Sequence, residues 1–501
     1  MEKGVVSNLF QMNQEKTVLY SIVSADLMTP VGVYLRLLSL AGENPKNIFL
    51  LESVEGGESR GRYSIIGLLP DIIWKCSHGI VYMNTNPQEN PDNFQKSDQK
   101  PLDSLRALIA DSQMDMPSHL PPMVGGIYGY LGYDMVRQME NLPNPPPNDL
   151  DLPEGVMIRP SLFAIFDTIR DELIFAAPIR EKTSKAFEAA ERLLIKAKEA
   201  LNVSVPLPNS FGIQTSHSTA SEPTSTLSKK DFEDIVLKLK EYIYAGDAFQ
   251  IVPSQRFSIP FTLPAVALYR SLRRINPAPF LFCLQLDQFA LVGSSPEILV
   301  RLRDRKMTVR PLAGTRRRGN SPEEDIQLEK ELLADEKERA EHLMLIDLGR
   351  NDVGRVCDIG SVKLTEQFVI ERFSHVMHIS SNVEGMLRKG MTALDALIAG
   401  FPAGTLTGAP KIRAMEILDE VEPTRRATYA GCIGYFGADG SMDTCIGLRT
   451  ALLKNGKMYV QAGCGVVADS NPEAEYEETR QKARALFRAA EEANMFVLNK
   501  S

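Results

Sequence analysis

Phe280-Leu-Phe-Cys-Leu-Gln-Leu-Asp-Gln-Phe-Ala-Leu-Val-Gly-Ser-Ser-Pro-Glu-Ile-Leu-Val-Arg-Leu-Arg-Asp-Arg-Lys-Met-Thr-Val-Arg310 is the stretch on which the fold turns. Its apolar runs predict strands over 280–286, 289–292, 298–303 and 307–310, with gaps too short for a crossover helix. The pattern returns as strands expected over 80–82, 249–256, 430–436, 442–453 and 457–463. Helical periodicity occurs elsewhere. Phe187, Ala190, Leu194, Ala197 and Leu201 share one face, and beyond a cap at Ser228 so do Phe232, Ile235, Leu239 and Ile243. Further helices are expected from Leu102 and over 322–348, 392–399, 411–418 and 474–490. Antiparallel strand runs mixed with helices indicate an α+β fold rather than a regular βαβ repeat.

The chain has 501 residues, a length that suits two or three domains, and the composition of an ordinary globular protein. Its net charge is -8, and Arg316-Arg317-Arg318 is the one dense basic cluster, so nucleic acid is not expected as a partner. An acidic chain still takes an anionic small molecule where positive groups are focused locally. Cys76, Cys283, Cys357, Cys432, Cys445 and Cys464 form no C-x-x-C pair and read as buried free thiols in a reducing compartment. The start of the chain does not look like a signal peptide, and no run reaches the ~18 apolar residues of a membrane span. A cytoplasmic location and no membrane partner are expected. Residues 84–100 read as a polar surface loop, and 141–153, with five prolines, as extended chain. Residues 202–228 read as a linker between an N-terminal region, 1–201, and a second region, 229–501.

Two Glu-x-x-Glu pairs carry the chemistry: Glu338 with Glu341, and Glu475 with Glu478, the latter followed by Lys482 one turn on. Residues three apart share a helix face, so each pair presents two carboxylates to one side. Should the faces meet, four like charges would need a cation. Oxygen ligands without clustered His or Cys suit a hard ion such as Mg²⁺. Two glycine turns accompany the pairs. One, from Phe401 to Lys411, leads into a helix and can offer N–H groups to an anion, although it lacks Walker A spacing. In the other, from Gln461 to Asp469, Gly463 and Gly465 permit close approach of a ligand.

Leu312-Ala-Gly-Thr-Arg316, Asp347-Leu-Gly-Arg-Asn-Asp-Val-Gly-Arg355 and the two glycine turns occur in the order found in chorismate-utilising enzymes. Together with Leu50-Leu-Glu-Ser53 and Arg62-Tyr-Ser-Ile-Ile-Gly67, they make nearly the whole chain resemble the family of anthranilate synthase large subunits. The resemblance implies a four-layer α/β/β/α sandwich with both sequence regions interleaved. It implies Mg²⁺ on Glu341 and Glu478, with Glu338 and Glu475 orienting waters on the ion. Lys482, with N–H donors around Ala462, Gly463 and Gly465, would hold the ring carboxylate of chorismate. Arg449 and Tyr429 would bind the enolpyruvyl carboxylate, and Gly314, Thr315 and Thr405 would line the ring pocket. Glu297 resembles the general acid for the departing C4 hydroxyl, a role that needs a carboxyl pKa raised by burial. His378 matches the histidine needed to eliminate pyruvate; His342 and His375 lie near it in sequence but off the matching position.

The resemblance also identifies the nucleophile. Isochorismate and salicylate synthases activate water with a lysine where this chain has Gln250, and a glutamine is no base. Aminodeoxychorismate synthases place a lysine nucleophile where this chain has Ala313. Ammonia, arriving by diffusion, fits the vacancy and would give 2-amino-2-deoxyisochorismate, then anthranilate, the first committed step of tryptophan biosynthesis. A separate glutamine amidotransferase subunit would supply the ammonia, within a heterotetramer or larger hetero-oligomer. Glu52, Ser53 and Arg62, completed by Asn276, Pro277, Pro279 and Phe280, resemble the family's feedback site for L-tryptophan. The alternatives are a synthase that stops at the amino intermediate and a non-catalytic ligand-sensing homologue.

Overall fold

The computed structural model describes residues 16–42, 44–55, 59–205, 222–373 and 376–497. Most of the expected linker, 206–221, and His375 lie outside the described residues. The deciding stretch forms two antiparallel hairpins: Phe280–Gln285 pairs with Ala290–Ser295, and Ile298–Arg303 with Lys306–Val309. The hairpins belong to different layers. The first continues through Ile48–Glu52 on one side, and through Thr450–Lys454, Lys457–Gly463 and Ser254–Pro260 on the other. The second continues through Met442–Ile446, Cys432–Phe436 and Ile127–Leu131, and through Val376–Met386 to Leu312–Arg317 and Lys363–Arg372. The long strands Tyr63–Ser77 and Gly155–Asp167 pair with each other and reach into both layers.

Aromatic rings fill the space between the layers. Phe49 of the first stacks on Tyr128 of the second at 4.5 Å, and Tyr128 on Tyr435 at 5.2 Å. Helices cover the outer faces. Leu194, Leu268, Leu272 and Leu486 cover the first layer, and Leu105, Ile346, Leu394 and Leu397 the second. Fully burying one such side chain contributes about 1.5–3 kcal/mol. The architecture is α+β, with two antiparallel layers of one continuous sheet between two helical layers.

Three expected elements are divided. The helix over 322–348 is two helices, Pro322–Ala334 and Glu336–Gly354, because Asp335 leaves the helical region (ψ 111°) and its carboxylate caps the N–H groups of Lys337 and Glu338. The strand over 249–256 breaks around Pro253 into Gln250–Ile251 and Ser254–Pro260, since proline cannot donate to a ladder. The strand over 442–453 breaks where the chain passes between layers, with Arg449 at a φ of 48°. The linker's end is structured too, since Thr224–Ser225 pairs with Ser254–Pro260. Within the loop expected over 84–100, Gln95–Ser97 pairs with Ile80–Asn84. Ser228 does cap its helix, through a reciprocal box with Asp231. All six cysteines are buried and free. Among the described residues, no helix is long and apolar enough to cross a membrane.

Candidate active site

The fold brings the two acidic faces together. Glu341 stands on the Glu336–Gly354 helix, Glu475 and Glu478 on Pro472–Glu492, and Lys337 bridges to Asp469 at 3.2 Å. Burial raises the Glu341 carboxyl above its ordinary value, and the charges of Glu338 and Glu478 raise it further. Against these, the Gln250 amide donates to Glu341 Oε1 at 2.8 Å. Gly465 makes room for that contact, since a Cβ there would stand 2.8 Å from Gln250 Nε2. Burial likewise raises Glu475, and its Oε2 is buried without a hydrogen-bond partner. Glu338 is paired with Arg316 at 3.1 Å, and Glu478 with Lys482 at 2.8 Å.

Among the described residues, no three acidic, imidazole or thiol groups form a closed metal cage. The carboxylates still fit a divalent ion. They are oxygen donors whose charges help raise Glu341 and Glu475, Glu475 carries an orphaned oxygen, and Mg²⁺ in particular keeps several ligands as water or substrate.

The two passages between layers lie side by side, and each holds a candidate residue at the bend. Glu297 follows Ala290–Ser295, and Arg449 precedes Thr450–Lys454; Ile446 N donates to Glu297 O at 3.0 Å and Ser294 N to Arg449 O at 3.1 Å. A non-glycine residue at the φ of Arg449 is strained, a cost tolerated where the surroundings over-determine the position. Burial pushes the Glu297 carboxyl up to about 8, despite donors at Leu312 N (3.4 Å) and Thr405 Oγ1 (3.2 Å) and the nearby Arg449 charge. Both donors engage Oε1, which leaves Oε2 to carry the proton.

His378, on Val376–Met386, places Nδ1 2.9 Å from Gly314 O and 3.2 Å from Thr315 Oγ1. The carbonyl can only accept, so Nδ1 carries the hydrogen and Nε2 the lone pair. Burial, then the charges of Arg449 and Lys482, lowers the imidazole to about 4, so it is neutral at physiological pH. Lys482 also donates to Gly463 O at 3.0 Å. The Tyr429 hydroxyl lies so close to Gly463 that a Cβ there would approach it to 2.8 Å. Ala462 is buried on the same strand, whereas Thr315 and Lys482 are exposed, so the cleft opens at its acidic end.

The turn from Phe401 to Lys411 has a packing role beside any anion contact. A Cβ on Gly404 would stand 1.7 Å from Leu348 Cδ2, and Lys411 is buried in a pair with Asp352 at 2.9 Å. That turn is thereby fastened to the helix of Glu341. In the resembled feedback site, Glu52 is buried and held by Arg273 at 2.8 Å and by the Tyr269 hydroxyl. Ser53 packs against Gly61, and Asn276 Nδ2 donates to Ser294 Oγ at 3.3 Å. Pro277, Pro279 and Phe280 are half-buried, while Arg62 is exposed and paired with Asp167 at 2.8 Å.

Sequence reading did not anticipate three of these contacts: Gln250 on Glu341, Arg316 on Glu338 and Lys411 on Asp352. No local pattern signals them, because each joins segments distant in the chain. The basic cluster Arg316–Arg318 is in fact neutralised by Glu324, Asp325, Asp335 and Glu338.

A family model described as chorismate binding enzyme matches residues 46–488. Anthranilate synthase component 1 of Cereibacter sphaeroides is 51% identical over 488 residues, covering 96% of both chains. The protein of that name from Pseudomonas aeruginosa is 46% identical over 93% of both. Among solved structures, anthranilate synthase component I from Streptococcus pneumoniae superposes with a TM-score of 0.74 at 35% identity, covering 93% of this chain and 99% of that one. The menaquinone-specific isochorismate synthase of Escherichia coli, at 19% identity and a TM-score of 0.69 over 97% and 98% of the two chains, shares the fold.

Proposed function

The chain belongs to the chorismate-binding enzymes, within the anthranilate synthase component 1 group, and we propose that it aminates chorismate with ammonia and then eliminates pyruvate to release anthranilate. The observation that carries this reading is the contact of Gln250 with Glu341. The side chain at the position of a water-activating lysine is an amide locked onto a carboxylate, and the neighbouring candidate position holds Ala313. Neither can activate or supply a nucleophile, so the nucleophile must enter as a free molecule.

In the first step ammonia bonds to ring carbon C2, the ring double bonds shift, and the C4–O bond breaks. Glu297, protonated at neutral pH, gives its proton to the departing hydroxyl, which leaves as water. The new C2 ammonium loses one proton to solvent. In the second step the neutral Nε2 of His378 takes the C2 proton as the ring C3–O bond breaks, the ring becomes aromatic, and the departing enolpyruvate takes up a proton to leave as pyruvate. Arg449 and Tyr429 hold the enolpyruvyl carboxylate, and Lys482 with the Gly463 and Gly465 backbone holds the ring carboxylate. Mg²⁺ would be held by Glu341 and Glu478, with Glu338 and Glu475 behind them; when bound it supplies positive charge for the ring carboxylate.

A glutamine amidotransferase subunit is the proposed source of ammonia, in keeping with the designation component 1 among the relatives. The full chain with chorismate, Mg²⁺ and ammonium should therefore give anthranilate fluorescence and one pyruvate per anthranilate, with no glutaminase present. Failure to turn over chorismate would overturn the reading, and an amino-intermediate as sole product would restrict it to the first step.

L-tryptophan is the proposed feedback inhibitor, at Ser53 and the segment from Asn276 to Phe280. Its ammonium would share Glu52 with Arg273. Ser53→Phe should raise the inhibitory tryptophan concentration at least tenfold without changing the KM for chorismate. Unchanged inhibition in that variant would remove the assignment.

A further inference from the structure

Opposite the end that carries Glu52, the strand Ile48–Glu52 begins beside a cavity of about 630 Å³ that nothing in the proposed reaction uses. Five residues of strand, roughly 17 Å, separate it from Glu52. Its floor is the open end of the aromatic layer between the sheet layers, formed by Ile73, Leu152, Val156, Leu286 and Phe289.

The opening has a local cause. The long strand Tyr63–Ser77 slips register between Pro70 and Ile72, and Leu69 there adopts a φ of 54°. The Gln88 amide holds that bulge open by donating to Leu69 O at 2.9 Å and Pro70 O at 3.2 Å. Asn47 and Asp151, also on the wall, take φ values of 55° and 45°. Asn and Asp enter that region readily, so the strained position on this wall is Leu69.

Among the described residues, the lining holds Lys46, Lys75 and Lys454 against two carboxylates, Asp151 and Asp287. Lys75 Nζ lies 4.2 Å from the centroid of the Phe94 ring and 5.8 Å from that of Tyr82, and among the described residues no carboxylate pairs with it. Lys454 Nζ donates only to the carbonyls of Leu150 at 2.6 Å and Asp151 at 3.3 Å. Of the two carboxylates on the wall, Asp287 is engaged with Lys46 at 2.6 Å, and Asp151 lies 3.4 Å from His78 Nε2, an ion pair only when that imidazole is protonated. A cavity of this size, apolar below and with an ammonium held over an aromatic ring but paired with no carboxylate among the described residues, suits a small amphipathic anion.

We propose that this cavity binds a small aromatic carboxylate, its ring against Phe289 and Phe94 and its carboxylate on the Lys75 ammonium. The site is independent of the reaction at the acidic cleft, because the two share no residue.

Benzoate and benzamide, alike in shape and unlike in charge, test it by ligand-observed NMR and calorimetric titration of the full chain. Benzoate should bind at least tenfold more tightly than benzamide. Lys75→Met should weaken benzoate at least tenfold, Lys75→Arg should restore most of the loss, and neither should change kcat/KM for chorismate. Arg449→Ala separates the two sites and should leave this binding intact. Equal binding of the two probes, wild-type affinity in Lys75→Met, or loss of binding in Arg449→Ala would each overturn the proposal.

Discussion

Glu297→Gln should lower kcat/KM for chorismate about 100- to 10,000-fold, the contribution of one positioned general acid, while making the protein more stable in alkaline solution. Both effects follow from burial. The carboxyl sits at about 8 in the folded chain against an ordinary value of 4.5, so between those values the folded state holds a proton that the unfolded state releases. Stability from this group is complete below about 4.5 and is lost as pH rises toward 8, with a limiting slope of about 1.4 kcal/mol per pH unit. A glutamine keeps the shape and does not titrate. Melting curves should therefore show the variant gaining on the wild type between about pH 4.5 and pH 8 and holding that gain above it. Wild-type turnover should itself fall above about pH 8, as the acid ionises. A variant retaining a tenth of the activity, or a melting difference that ignores pH, would show that Glu297 is not the acid.

The position of Glu297 also shows what the sequence could and could not reveal. Strands on either side of Pro296-Glu297 were legible from alternation and turn residues, because those signals are local. That the two hairpins belong to different layers of one continuous sheet was not, since periodicity is the same in either layer. The same blindness fused 442–446 with 450–454: apolar residues run through the passage, and only the backbone shows Arg449 turning the chain. Both passages are side by side because Ser294, Glu297, Ile446 and Arg449 bond across them, a long-range pairing. For the acidic pairs, spacing put each on one helix face and the resemblance supplied their partner. What neither contained is the restraint on two of the carboxylates: Gln250 on Glu341 and Arg316 on Glu338. Asp335 shows a subtler loss, a good helix pattern interrupted by a residue whose side chain competes for the backbone.

Removing divalent cations should silence the enzyme at least a hundredfold, and the loss should be steeper in acid than at neutrality. Glu341 and Glu475 are raised by burial and by neighbouring carboxylates, so as pH falls each takes up its proton sooner than an ordinary carboxyl would. Binding Mg²⁺ must expel those protons, and the Mg²⁺ concentration for half-maximal activity should climb as pH falls toward the raised values. Two features of this chain would otherwise oppose the ion, since Lys482 already pairs with Glu478 and the Gln250 amide with Glu341. Both contacts restrain the carboxylates in place, and both can give way to a divalent cation. A readout separate from turnover follows. At a hundredfold its Kd, Mg²⁺ should stabilise the folded chain by about 2.7 kcal/mol, visible as a higher Tm. Glu341→Gln and Glu478→Gln should each abolish that rise while leaving the metal-free Tm near or above wild type, because each removes one of four crowded charges. Undiminished turnover in chelator would show that the carboxylates serve another purpose. So would a Tm rise that survives both substitutions.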